Sequence, residues 1–148
     1  MDVAIADTDS ADALARDLRR SISAFVRAVR KDTGTLRTAQ SEALDLLDRM
    51  GPMTVAALAQ KRGTSHQTMR LVVAKLDADE LVRQDADPAD RRSRLVSISS
   101  KGRDTLKRER NMRVSRIEGA IQRVLSPSER VHLRAAIPIL DRLTKSSS

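Results

Sequence analysis

Apolar residues recur at three- and four-residue steps along much of the chain, with polar residues filling the opposite helical face. Leu14, Leu18, Ile22, Phe25, Val26 and Val29 predict an amphipathic helix over 11–30 that ends near Gly34. A second helix, 38–50, has Thr38 as N-cap, turns Ala39, Ala43, Leu46 and Leu47 inward, and is closed by Gly51-Pro52. Thr54 caps a short helix over 55–61 that carries Ala56 and Leu58 and stops at Gly63. Ser65 caps the next, whose buried stripe is Met69, Val72, Val73 and Leu76, so His66, Gln67, Arg70 and Ala74 face outward.

The period then changes to two. Leu81-Val82-Arg83-Gln84 and Arg94-Leu95-Val96-Ser97-Ile98 read as short strands around a charged loop that holds Pro88. Helical spacing returns after Ser99 or Ser100, either of which serves as N-cap, with Leu106, Met112, Val114, Ile117, Ile121 and Val124 as apolar positions. Ser126-Pro127-Ser128-Glu129 is a capping box with proline at the first helical position. It opens a last helix carrying Val131, Leu133, Ile137, Leu140 and Leu143. Pro138 within it frees the carbonyl of Arg134 and is expected to kink the axis, and 146–148 are expected to be loose. There is no internal repeat and no low-complexity tract.

Two helices joined by a short turn, the second polar and basic on its free face, followed by a charged hairpin, make a winged helix-turn-helix. The expected class is mainly α (α+β), with a two-stranded wing. The winged region spans 35–99, between an N-terminal helix in 1–34 and C-terminal helices in 100–148, the whole forming one compact domain. The long flanking helices carry more apolar surface than each can bury alone, which predicts that they dimerise.

Composition narrows the function. A chain of 148 residues suits one domain, and its 40% hydrophobic and 32% charged residues are a globular balance. No apolar run approaches the roughly 18 residues that cross a bilayer, so no membrane partner is expected. Residues 1–10 are small and acidic, unlike a secretory signal, and the cytoplasm is the expected compartment. The absence of cysteine removes thiolate zinc sites, thiol redox sensing and cysteine nucleophiles. Tyrosine and tryptophan are also absent, and histidine occurs only at 66 and 132, which argues against an enzyme. His132 reads as a packed or surface histidine without a second ligand at metal spacing, and Met50, Met53, Met69 and Met112 read as core, so neither metal nor cofactor is expected.

The net charge is +8, and the surplus lies mid-chain: residues 61–110 hold 13 basic against 8 acidic side chains. A surplus of this kind suits a polyanion, because Lys and Arg displace counterions condensed on phosphates. Charge alone fits a merely soluble surface equally well. The helix-turn-helix and its hairpin favour double-stranded DNA.

The stretch from Leu36 to Gly102 resembles the MarR family of winged-helix transcription regulators. The likeness rests on Gly51-Pro52-Met53-Thr54-Val55-Ala56-Ala57-Leu58-Ala59, on Ser65-His66-Gln67-Thr68-Met69, on the segment from Leu76 to Arg83, and most specifically on Asp87-Pro88-Ala89-Asp90-Arg91-Arg92-Ser93. The resemblance implies a two-fold dimer built on the long first, fifth and sixth helices. It also implies recognition helices in successive major grooves of a pseudo-palindromic operator, and a wing arginine, here matched by Arg92, in the minor groove. Its further implication is a repressor that releases DNA when a small, often phenolic or anionic, molecule settles between the dimer helices and the reading head. Phe25 is the only aromatic, however, and a ring-stacking pocket is hard to build from it. A regulator without an effector, or an architectural DNA-binding protein, therefore stands as the alternative. Two positions depart from the family pattern. Glu80 stands where relatives often have the glycine that turns the backbone at positive φ, and Leu71 where they often have a basic or polar side chain.

The residues themselves supply a site. A helix N-terminus attracts phosphate, and Ser65, His66, Gln67 and Thr68 stand there. Gln67 can pair with adenine and Arg70 with guanine, while Lys75 is a phosphate neighbour or a solvated charge. On the wing, Arg91, Arg92 and Arg94 are candidates for the minor groove and the backbone, Arg92 first. Asp90 reads as a partner that orients Arg92 or Arg94 and braces the loop, with an indifferent loop aspartate as the bland alternative.

Overall fold

The computed structural model describes residues 10–31 and 38–146. The expected helix end near Gly34, the acidic segment before Ser10, the resemblance's starting point at Leu36 and the final two serines lie outside the described residues. The elements are α1 (Ala11–Arg30), α2 (Thr38–Met50), β1 (Met53–Thr54), α3 (Val55–Arg62), α4 (His66–Ala78), β2 (Val82–Ala86), β3 (Arg94–Ile98), α5 (Ser100–Val124) and α6 (Pro127–Ser146). They fall into two compact units, Thr33–Asn111 and Met1–Asp32 with Met112–Ser148.

The first unit is the winged helix, and its core gathers Ala43, Leu44, Leu46, Leu47, Met53, Leu58, Ala59, Met69, Val73, Leu76, Leu81, Val82, Val96, Ile98 and Leu106. Each large apolar side chain so buried contributes on the order of 1.5–3 kcal/mol. Two helix faces differ from expectation. In α2 Ala43, Leu46 and Leu47 face inward as expected, Gln40, Ser41 and Leu44 are buried beside them, and Ala39 is exposed. Gln40 takes the buried place in the first turn that was expected of Ala39, and its polarity hides it in the sequence. In α3 Leu58 and Ala59 are buried and Ala56 is exposed. Thr38 is the first helical residue of α2 and not the cap ahead of it.

The sheet has three antiparallel strands in the order β1-β3-β2, one more than the hairpin expected from sequence. The added strand, β1, pairs Met53 with Val96 and Thr54 with Leu95. Two residues carry no readable alternation, yet they make β3 the central strand and tie the base of the wing to the head. The β2–β3 ladder runs from Val82↔Ile98 to Ala86↔Arg94, starting one residue later and ending two residues further than the strand 81–84. Leu81 stays out of it because its amide is spent on α4, donating to the Leu76 carbonyl at 2.8 Å.

Helix ends follow the capping rules. Ser10, Thr54 and Ser65 each accept from the amide three residues on. Ser99 caps α5, its Oγ accepting from the Gly102 amide at 3.0 Å. The reciprocal Ser126–Glu129 bonds of a capping box, at 2.8 and 3.2 Å, open α6, which continues through Pro138. At the end of α4, Glu80 takes φ 60, the left-handed turn usual for glycine. Its amide donates to Asp77 and that of Leu81 to Leu76, a Schellman closure with Leu76 and Leu81 both buried.

Within the second unit Val29 is buried, and the Arg116 guanidinium donates to the Lys31 carbonyl at the end of α1. Leu14, Ile22, Phe25 and Val26 of α1, Val114 and Val124 of α5, and Val131, Ile137, Ile139 and Leu143 of α6 are exposed in the single chain. Among the described residues, no helix is long and apolar enough to cross a membrane.

Candidate nucleic-acid interface

Helix α4 is positioned from both ends. Gly63, at φ 64, closes α3, and Ser65 caps α4 after a turn of a single intervening residue, Thr64. The Ser65 hydroxyl accepts from the Thr68 amide at 3.1 Å and donates to Thr68 Oγ1 at 2.8 Å, so Ser65 is committed to the cap. That leaves the amides of the first two helical residues, His66 and Gln67, directed out of the helix end. Met69, Val73 and Leu76 anchor the inner face. His66, Gln67, Thr68, Arg70 and Ala74 are exposed on the outer one, as is Leu71.

Lys75 stands apart. It lies nine residues along the helix from His66, about 13 Å at 1.5 Å per residue. Its ammonium faces Asp79 at 3.3 Å. The end of α4 is also tied to the wing, with Gln84 Nε2 donating to Asp77 at 3.2 Å.

The wing tip is held by two aspartates. Asp87 Oδ1 accepts from the Ala89 amide at 2.9 Å, and the Asp87 amide donates to the Ser93 carbonyl at 3.1 Å across the loop mouth. Asp90 Oδ1 accepts from the Arg92 amide at 3.0 Å, while the Ser93 amide donates to the Asp90 carbonyl at 3.0 Å. Asp90 therefore braces the loop, as expected, through the backbone of the turn, and among the described residues it pairs with no guanidinium. Arg91 and Arg92 occupy the two central positions of that turn, where side chains project away from the hairpin. Among the described residues, no ion pair engages Arg91, Arg92 or Arg94, all of them exposed. The same holds for Arg70 and for Arg83 on β2. Arg83 was not among the sequence candidates, although its alternation with buried Val82 marks it as outward.

Several other cations of this unit are already matched. Arg62 bonds Glu42, Lys101 lies 3.3 Å from Glu80, and Arg103 lies 3.8 Å from Asp48. Arg110 bonds Asp45 and reaches Asp48 at 3.5 Å, clasping α5 to α2. Burial pulls the Asp45 carboxyl upward, but hydrogen bonds from Arg110 and Arg49 outweigh it and hold the group below the ordinary aspartate value. Beside this clasp, buried Glu109 accepts from Ser41 Oγ at 2.7 Å. Glu109 and Gly102 share the inward stripe of α5 with Leu106, and neither residue type signals a core position.

Comparison with known proteins places this geometry. The sequence profile of the MarR family matches residues 34–93. An uncharacterised HTH-type transcriptional regulator of Bacillus subtilis, YxaD, is 32% identical over 101 residues, covering 68% of this chain and 69% of its own. A crystal structure of a candidate transcriptional regulator from Pseudomonas aeruginosa aligns with TM-score 0.78 and 31% identity, over 88% of this chain and 93% of that one. BpsR of Bordetella bronchiseptica, whose DNA binding is regulated by 6-hydroxynicotinic acid, aligns with TM-score 0.58 and 25% identity over 93% and 95% of the two chains.

Proposed function

The chain belongs to the MarR family of DNA-binding transcription regulators, and on that premise we propose that it acts in the cytoplasm as a homodimeric repressor. The observation that carries the DNA-reading part is the outer face of the winged unit. Free cations at the wing tip, Arg91, Arg92 and Arg94, accompany an α4 face whose Gln67 and Arg70 are exposed and unengaged. Arg92 enters a narrow minor groove, Arg91 and Arg94 meet phosphates, and the amides at the start of α4 receive a backbone phosphate. Ser65 serves as the cap that holds this end in place, His66 and Thr68 flank it, and Asp90 keeps the wing arginines at the tip.

Dimerisation is supported by the apolar side chains left open on α1, on the second half of α5 and on α6. A two-fold dimer reads a pseudo-palindrome with half-sites about one helical turn apart. Relief by a small molecule is supported by the likeness to BpsR, whose DNA binding responds to 6-hydroxynicotinic acid. Phe25 as sole aromatic favours an effector held by aliphatic and charged groups over one held by ring stacking.

Selection of binding sites from random DNA tests the reading. Enrichment of a pseudo-palindrome supports it; recovery of DNA without any motif would favour an architectural role. On the enriched duplex, Arg70→Ala is expected to relax preference at one base pair per half-site, each good bidentate contact being worth about 1–3 kcal/mol.

A further inference from the structure

The outer face of α4 has an apolar centre that the phosphate and adenine or guanine contacts above do not use. Leu71 is 68% exposed, the one large aliphatic side chain of α4 left in solvent. At 3.6 residues per turn it lies about 200° from Met69, almost opposite the buried stripe of Met69, Val73 and Leu76. Gln67 stands one turn before it and Ala74 one turn after, while Arg70 and Lys75 flank the line. The residues that reach deepest into a groove are those opposite the buried stripe, and here they are a glutamine, a leucine and an alanine. Ala74 is small enough to let the helix approach the base edges closely.

The major groove offers such a side chain one distinctive apolar group, the C5-methyl of thymine. A phosphate or a guanine edge would leave Leu71 with an unsatisfied polar neighbour, and open water would leave it uncovered. We propose that Leu71 is a specificity residue that packs against a thymine methyl, within reach of the base pair read by Gln67. This rests on the reading of α4 as the DNA-recognition helix and deepens it. It makes an A·T pair a fixed feature of each half-site.

Replacing thymine by deoxyuridine deletes only the methyl and keeps base pairing, so it isolates the contact. The experiment measures fluorescence anisotropy of the full chain on the duplex enriched by selection, with thymines replaced one symmetric pair at a time. The wild type is expected to lose about fourfold in affinity per methyl at one thymine of each half-site, the worth of one buried carbon. Leu71→Ala is expected to bind the thymine duplex more weakly and to be indifferent to deoxyuridine at that position. Leu71→Met, which keeps an apolar contact, retains the sensitivity. Leu71 stands outside the core, so thermal melting of the variants should match the wild type. Sequence-selective binding with equal deoxyuridine effects in wild type and Leu71→Ala at every position would overturn the inference while leaving DNA reading intact. Failure of the wild type to prefer any duplex would remove DNA reading itself, and this inference with it.

Discussion

At Glu80 the backbone sits at φ 60, a conformation that costs a residue with a Cβ roughly 1–2 kcal/mol. Helix α4 ends there because the Schellman bonds from Glu80 and Leu81 are made and Leu81 is buried beneath them. Asparagine tolerates this turn better than glutamate, so Glu80→Asn is expected to raise stability by about 0.5 kcal/mol in urea unfolding; a loss would show that the Lys101 pairing outweighs the strain. Gly102 presents the opposite case. A Cβ there would lie 2.1 Å from the Leu81 carbonyl oxygen and 2.8 Å from Ile98 Cγ1, and backbone cannot swing aside. Gly102→Ala is expected to cost about 1–3 kcal/mol, read as a lowered urea midpoint. The special turn at Glu80 was legible through the family resemblance, because relatives often have glycine there; that the turn is kept, at positive φ, is what the structure adds. The close approach at Gly102 was not: it depends on where Leu81 arrives from a distant part of the chain.

Among the elements, helices with strong apolar periodicity and caps were readable, and so were the strands of the wing. The two-residue β1 was not, since its pairing with β3 is a tertiary event with no local pattern, and in the first turn of α2 polarity concealed that Gln40, not Ala39, is buried. The clasp between α2 and α5 was equally hidden, because Asp45, Asp48 and Arg110 look like ordinary solvated charges until the helices meet. It carries a pH signature. The folded-state value of Asp45 is depressed, so its contribution is fully present above the unfolded aspartate value of about 3.9 and is lost as pH falls through the lower folded value. The stability difference between wild type and Asp45→Asn is therefore expected to be constant near neutrality and to shrink below about pH 4. A gap unchanged down to pH 2 would mean that the carboxylate's charge does not stabilise the clasp. In the wing, Asp90→Ala frees the Arg92 amide and loosens the tip. It is expected to weaken DNA binding with a melting temperature close to wild type, as measured by anisotropy and calorimetry side by side.

At the scale of the whole molecule the open apolar faces of α1, α5 and α6 predict a dimer, and light scattering should return twice the chain mass down to low micromolar concentration. A stable monomer would contradict it. The candidate DNA face was legible as residue types at positions, Gln67, Arg70 and Arg92 among them. What sequence left out was which charges are free: Lys75, Arg62 and Lys101 lie beside carboxylates, while Arg83 and the wing arginines do not. That distinction makes the wing the place where DNA reading is tested most sharply. Anisotropy titrations of wild type and Arg92→Ala across a salt series on the selected duplex measure how many cations meet the DNA. The variant is expected to bind every sequence more weakly, with the slope of log affinity against log salt reduced by about one per arginine lost. Identical affinity and slope for the two proteins would exclude Arg92 from the DNA interface and contradict the assignment of the wing tip to the minor groove.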